Sequence, residues 1–215
     1  MHPFTLLAWG LSYPDAELLA ARRELARAAH ELPHRAANDE LTRFISWWAD
    51  AEPATLQHTY VATFDFARRT ALDLTYYTHG DRRQRGLALV ALRRRYAAAG
   101  LELDTTELPD HLPLMLEFTT IAPEEGGALL AEYRPVIELL RLALERDNSP
   151  YQGALRALCL TLPALTPDEH EHLRRIAREG PPDETVGLEP FAPPEVMPET
   201  RRAPAACAVA PGAPR

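Results

Sequence analysis

Asn38-Asp39-Glu40-Leu41-Thr42-Arg43-Phe44-Ile45-Ser46-Trp47-Trp48 is the stretch that decides the fold class. Leu41, Phe44, Ile45 and Trp48 recur at i, i+3, i+4 and i+7, which places them on one face of an α-helix. Asn38 stands where an N-cap is expected, and Asp39 and Glu40 follow in the first turn, where the helix dipole favours acids. The same period continues on both sides. Upstream, Leu18, Leu19, Leu25 and Leu32 follow Pro14 on an Ala/Arg/Glu-rich background that favours helix. Downstream, Pro53 suits the first helical position, with Leu56, Tyr60, Val61 and Phe64 turned inward.

Asp81 with Gln84 predicts a helix through Leu87, Val90, Leu92 and Tyr96, closed by Gly100 just past its end. Leu129–Leu144 reads as one long helix, with Pro135 as a kink or an early-turn residue. Ser149-Pro150-Tyr151-Gln152 and Thr166-Pro167-Asp168-Glu169 repeat the grammar of a cap, a proline and a polar partner. Leu72–Thr78 alone has strand character, and it is too isolated to build a sheet. The expected fold is all-α: a single helical-bundle domain over residues 1–180. Residues 181–215 hold nine of the 20 prolines, and are expected to form a disordered Pro/Ala-rich tail.

At 215 residues, with 46% apolar and 25% charged residues, the chain has the composition of one globular domain. All 23 basic residues are arginine, which excludes a P-loop lysine, a Schiff-base lysine and a lysine general base. The formal net charge of −8 argues against a nucleic-acid partner. No apolar run of the roughly 18 residues needed to span a bilayer occurs, and the first ten residues lack a basic leader, so a cytoplasmic protein outside the membrane is expected. Cys159 and Cys207 do not form a disulfide framework. The charge is uneven: residues 58–100 carry eight Arg and three Asp, a sum of +5, whereas residues 101–180 carry 15 acids and seven bases, a sum of −8.

Glu107-Leu108-Pro109-Asp110-His111-Leu112 is the densest candidate site. Carboxylates and an imidazole at a helix start can bind a metal, do acid–base work or receive a cation, while the plain reading is that Pro109 starts a helix and Asp110 suits its first turn. A metal centre is disfavoured because no cysteine lies near, and His170 and His172 point to different sides of a helix. No Gly-x-Ser-x-Gly or Gly-x-Gly-x-x-Gly occurs, and Cys159 reads as a buried inert thiol, so no catalytic residue, cofactor or metal is expected. Tyr60 and Phe64 share a helix face four residues apart, and Asp65 is spaced to meet Arg68 and Arg69. Tyr76 and Tyr77 read as aromatic filler unless a groove exposes them, and Arg93-Arg94-Arg95 as a solvated basic face or a second contact surface.

Tyr60-Val61-x-Thr63-Phe64-Asp65, Arg68-Arg69, Leu74-Thr75-Tyr76-Tyr77, Gly80-Asp81-Arg82, Arg85-Gly86 and Glu107 to Leu112 occur in an order and spacing that resembles the NarJ-type assembly chaperones, the delta subunits dedicated to membrane-bound respiratory nitrate reductase. The resemblance covers about residues 4–180. It implies an all-helical, non-enzymatic chaperone that binds the N-terminal, twin-arginine-like segment of the nitrate reductase catalytic (alpha) subunit. That subunit would be held ready for molybdenum cofactor insertion before membrane anchoring. The wider group lines its peptide groove with an aromatic-x-x-x-Phe segment and a Glu-x-x-Asp-His turn. Here these become Tyr60 and Phe64 as apolar walls, Glu107 and Asp110 as cation receptors and His111 as an orienting group, with Asp65, Arg68 and Tyr76 beside them. An ordinary histidine titrates near pH ~6.5, so recognition through His111 would be pH-sensitive. The expected state is a monomer or weak dimer. A chaperone for another exported molybdoenzyme is the sibling reading; a small metal-dependent enzyme using Glu107, Asp110 and His111 is the alternative from another class.

Overall fold

The computed structural model describes residues 1–80, 83–103 and 106–179. The chain enters through α1 (Pro3–Gly10), α2 (Ala16–His30) and α3 (Ala36–Asp50), then α4 (Pro53–Phe64) and a 3-10 turn at Arg68–Thr70. The short α5 (Tyr76–His79) and the long α6 (Arg83–Ala98) precede α7 (Leu112–Ile121), α8 (Pro123–Glu132) and α9 (Arg134–Arg146). Finally α10 (Gln152–Thr161) and α11 (Pro167–Glu179) close an all-α architecture among the described residues. Helix α3 packs between α2 and α10, α1 lies on α7, and α9 is flanked by α10 and α11.

The periodicity of α3 is the reason it sits centrally. Leu41, Phe44, Ile45 and Trp48 are all buried, Ile45 and Trp48 completely. Each such side chain contributes roughly 1.5–3 kcal/mol by leaving water. The helix nevertheless starts earlier than predicted, at Ala36, with Arg35 at the cap. Asn38 is instead buried within the first turn, and its amide donates to the Pro33 carbonyl at 2.8 Å.

Other local signals behave as expected where their partners are close in sequence. Thr166 and Glu169 form a reciprocal capping box, with Thr166 N donating to Glu169 Oε2 at 2.7 Å and Glu169 N to Thr166 Oγ1 at 3.3 Å. Gly100 adopts φ +81°, and Leu101 N and Gly100 N reach back to the carbonyls of Tyr96 and Ala97, closing α6 as a Schellman motif. Ser149 caps less directly: α10 begins at Gln152, and Ser149 Oγ accepts from Tyr151 N at 3.3 Å.

One expectation is corrected. The single helix over Leu129–Leu144 is two helices, because the chain turns at Tyr133 and Pro135 sits in the first turn of α9. The helix expected through Leu87, Val90, Leu92 and Tyr96 is present as α6, with Leu92 and Tyr96 buried and Leu87 69% and Val90 48% exposed. The predicted cap at Asp81 and the tail at 181–215 lie outside the described residues.

Candidate functional site

The site is built on an isolated antiparallel bridge between Asp73 and His111. Leu112 N donates to Leu72 O at 2.9 Å and Leu74 N to Asp110 O at 3.1 Å. This is where the strand-like alternation of Leu72–Thr78 finds its use. Leu72 and Leu74 turn into the core, and Asp73 faces the other way, directly opposite His111. Directly opposed side chains lie close, and the His111 Nδ1 to Asp73 Oδ1 distance is 3.0 Å.

The bridge also delays the next helix. α7 starts at Leu112 with His111 as its cap and Pro113 in its first turn, so Pro109 and Asp110 lie in the turn before it rather than inside it. There Asp110 is completely buried. Its Oδ2 accepts from Thr75 N at 3.1 Å, from Thr75 Oγ1 at 2.5 Å and from the Arg85 guanidinium at 3.4 Å. Arg85 also meets Asp73 Oδ2 at 3.2 Å and Thr75 Oγ1 at 3.2 Å, and lies 5.8 Å over the Tyr76 ring. The expectation that Asp110 sits at a groove rim is therefore corrected: it is the internal anchor that ties the turn to α5 and α6. Burial pushes the Asp73 carboxyl upward, but hydrogen bonds and charge from His111 and Arg85 outweigh it and hold the group below its ordinary range.

Outside this network lies an open cleft of about 390 Å³, lined by Ser12, Tyr13, Tyr60, Asp65, Glu107, His111, Pro113, Leu114 and Glu117. It gathers Tyr60, Asp65, Glu107 and His111 of the residues singled out in the sequence, and adds Tyr13 and Glu117, which were not. Tyr13, 46% exposed, stands edge-on to Tyr60 with ring centroids 5.6 Å apart. Tyr60 is itself buried except at this surface, and its hydroxyl donates to Leu11 O at 3.2 Å. Burial, followed by the negative charges of Asp65, Glu107 and Asp73, makes that hydroxyl harder to ionise. Burial also raises the Glu117 carboxyl above its ordinary range, against a hydrogen bond from Trp9. Three carboxylates thus share one cleft with two tyrosine rings.

The other candidates fall elsewhere. Phe64 is buried behind Tyr60, 5.0 Å away by ring centroid, and packs on Tyr151 at 4.8 Å. Tyr76 is 9% exposed beneath Arg85. Asp65 is the C-cap of α4, so the helical spacing expected between it and Arg69 is lost; Arg69 reaches across to Asp147 at 3.0 Å. Arg68 lies exposed in the following 3-10 turn. Glu107 and His111 face the cleft while Asp110 faces inward, so the three do not converge on one ligand. Cys159 has its thiol pushed up to about 12 by burial, which suits an inert side chain.

The sequence signals for Asp73, Thr75 and Arg85 were weak, since each is defined by partners ten or more positions away. Glu117 had a local signal: it follows Pro113 by one helical turn, on the same side of α7.

No helix of the described residues is long and apolar enough to cross a membrane. The family model for the nitrate reductase delta subunit matches residues 27–157. A Bacillus subtilis protein named for nitrate reductase molybdenum cofactor assembly, NarJ, is 34% identical over 160 residues, which are 74% of this chain and 87% of the relative. The nitrate reductase molybdenum cofactor assembly chaperone NarJ of Escherichia coli K12 is 34% identical over 183 residues, 83% of this chain and 77% of the relative. A crystal structure from Archaeoglobus fulgidus, described as a redox enzyme maturation protein, shares the fold with TM-score 0.56 at 22% identity, over 74% of this chain and 90% of that one. The two NarJ relatives are named as assembly chaperones, and the Archaeoglobus protein as a maturation protein. On the family match and the extent of these identities, the chain belongs to the nitrate reductase delta subunit family, as a NarJ-type chaperone.

Proposed function

We propose that this protein is the assembly chaperone of a molybdenum-dependent nitrate reductase, and that it holds the N-terminal segment of the catalytic subunit in the acidic cleft. The observation that carries this reading is the placement of Asp65, Glu107 and Glu117 around the Tyr13 and Tyr60 rings. A basic, amphipathic peptide would set its arginines against the carboxylates and its apolar side against the rings. Tyr60, Asp65, Glu107 and His111 would touch the peptide. Phe64, Asp110 and Tyr76 would hold those groups in place from behind, and Arg68 would lie at the margin. Occupancy of the segment would keep the subunit competent for molybdenum cofactor insertion. The proposed setting is the cytoplasm, and the proposed state a monomer or weak dimer with a compact domain over residues 1–180.

Calorimetric titration with the N-terminal peptide of the cognate catalytic subunit tests the reading. Saturable binding that weakens with added salt is expected. No heat at any pH between about 6 and 8 overturns it. Binding of the leader of a different exported molybdoenzyme, with none of the nitrate reductase peptide, would establish the sibling function instead.

A further inference from the structure

Helix α6 reaches the rest of the fold along one side only. Leu92 and Tyr96 are buried, the Tyr96 hydroxyl donating to Pro109 O at 2.6 Å, while Arg95 pairs with Glu132 at 2.5 Å. The opposite side carries Arg83, Leu87, Val90 and Arg94 at i, i+4, i+7 and i+11, all exposed and all within about 60° of one another around the helix. Gly86 and Ala97 border this stripe and are exposed as well, and Arg93 extends it. Leu87 is 69% and Val90 48% exposed, in a molecule whose other helices bury most of their large apolar residues.

Among the described residues, Arg83, Arg93 and Arg94 have no ion-pair partner, although the chain has 31 acidic residues to offer. An aliphatic centre with uncompensated arginines at both ends is complementary to an acidic amphipathic helix. Small residues beside the stripe let a second helix approach to the close end of the usual 8–10 Å spacing. A lipid surface fits less well: the face has two aliphatic side chains and no aromatic anchor, and the protein as a whole is negative. We propose that this face of α6 is a second docking surface, taken by an acidic amphipathic helix of the same client subunit.

This rests on the proposed client, and it places two contacts of opposite polarity on one chaperone: an acidic cleft for the basic leader and a basic helix for an acidic helix. Two tethered contacts raise the overall affinity through effective concentration, beyond what either reaches alone.

The test uses the full chain with the cofactor-free catalytic subunit from which the leader segment has been removed. Binding is expected to persist, to fall about tenfold or more in L87S/V90S and in R93E/R94E, and to weaken steeply between low and high salt. Both variants alter exposed side chains, so circular dichroism should remain that of the parent. The isolated leader peptide should bind both variants with unchanged affinity. A photo-crosslinker at position 87 should label an acidic helical segment of the client. Loss of binding on leader removal alone, unchanged affinity in both variants, labelling of a second copy of this chain, or binding to anionic phosphatidylserine vesicles in place of the client would each overturn the surface assignment. Failure of the leader peptide to bind would instead overturn the cleft, leaving the α6 result to be read independently.

Discussion

Glu107 and Asp110 stand three positions apart and meet opposite environments. Glu107 is exposed at the cleft, whereas Asp110 is fully buried and receives the Thr75 and Arg85 donors. Their substitutions should separate binding from stability. Glu107→Gln keeps the shape and removes one cleft charge, so peptide affinity should fall roughly three- to tenfold, about 0.7–1.4 kcal/mol. The urea midpoint should stay where it was. Asp110→Asn leaves Arg85 without one of its carboxylates inside the fold, and should lower unfolding stability by about 2 kcal/mol. Equal urea midpoints for D110N and the parent protein would show that the buried network does not hold the turn. The sequence made the Glu-x-x-Asp-His turn visible but not this division of labour. Which carboxylate turns inward is decided by Thr75 and Arg85, residues 35 and 25 positions upstream. No local pattern around residue 110 records them.

Among the helices, the features legible in the sequence were those closed within a few residues: the stripe of α3, the box at Thr166–Glu169 and the turn at Gly100. The division between α8 and α9 was not, since its period runs on through Tyr133 and only Pro135 hinted at a new start. The glycine pair in α8 shows how much of helix packing hides from periodicity. A Cβ on Gly126 would lie 2.4 Å from the Cα of Thr119, so α7 and α8 meet backbone to backbone at this point. A Cβ on Gly127 would meet nothing within 4 Å. Gly126→Ala must separate two helices and should cost about 1–3 kcal/mol. Gly127→Ala should raise stability by up to about 1 kcal/mol through helix propensity and a less flexible unfolded chain. Thermal unfolding of the two variants should therefore move in opposite directions. A shared direction would mean that the α7–α8 contact is looser than the structure shows.

At the scale of the molecule, the net charge of −8 is unevenly spread, and part of it is held in an ion network that joins helices. The network runs along α9. Arg134, buried to 7% exposure, donates to Glu138 at 2.8 Å and to the Pro163 carbonyl ahead of α11 at 3.2 Å. Arg141 joins Glu138 to Glu145, and Arg156 of α10 reaches Glu145 at 2.7 Å. Burial would raise the Glu138 carboxyl, but hydrogen bonds and charge from Arg141 and Arg134 outweigh it and bring it down to about 2, from 4.5. A carboxyl whose folded pKa lies below its unfolded one stabilises the fold fully above the unfolded value. That contribution is lost as pH falls from about 4.5 towards 2. After solvent screening it is worth about 1–2 kcal/mol. Asp73, also held low, adds to the same acid limb. Unfolding free energy measured by urea titration should accordingly decline between pH 5 and about 2.5 in the parent protein. Glu138→Gln should be less stable at pH 7 and show a shallower decline, so that the two curves converge in acid. Parallel curves across that range would place the acid sensitivity of the fold outside α9.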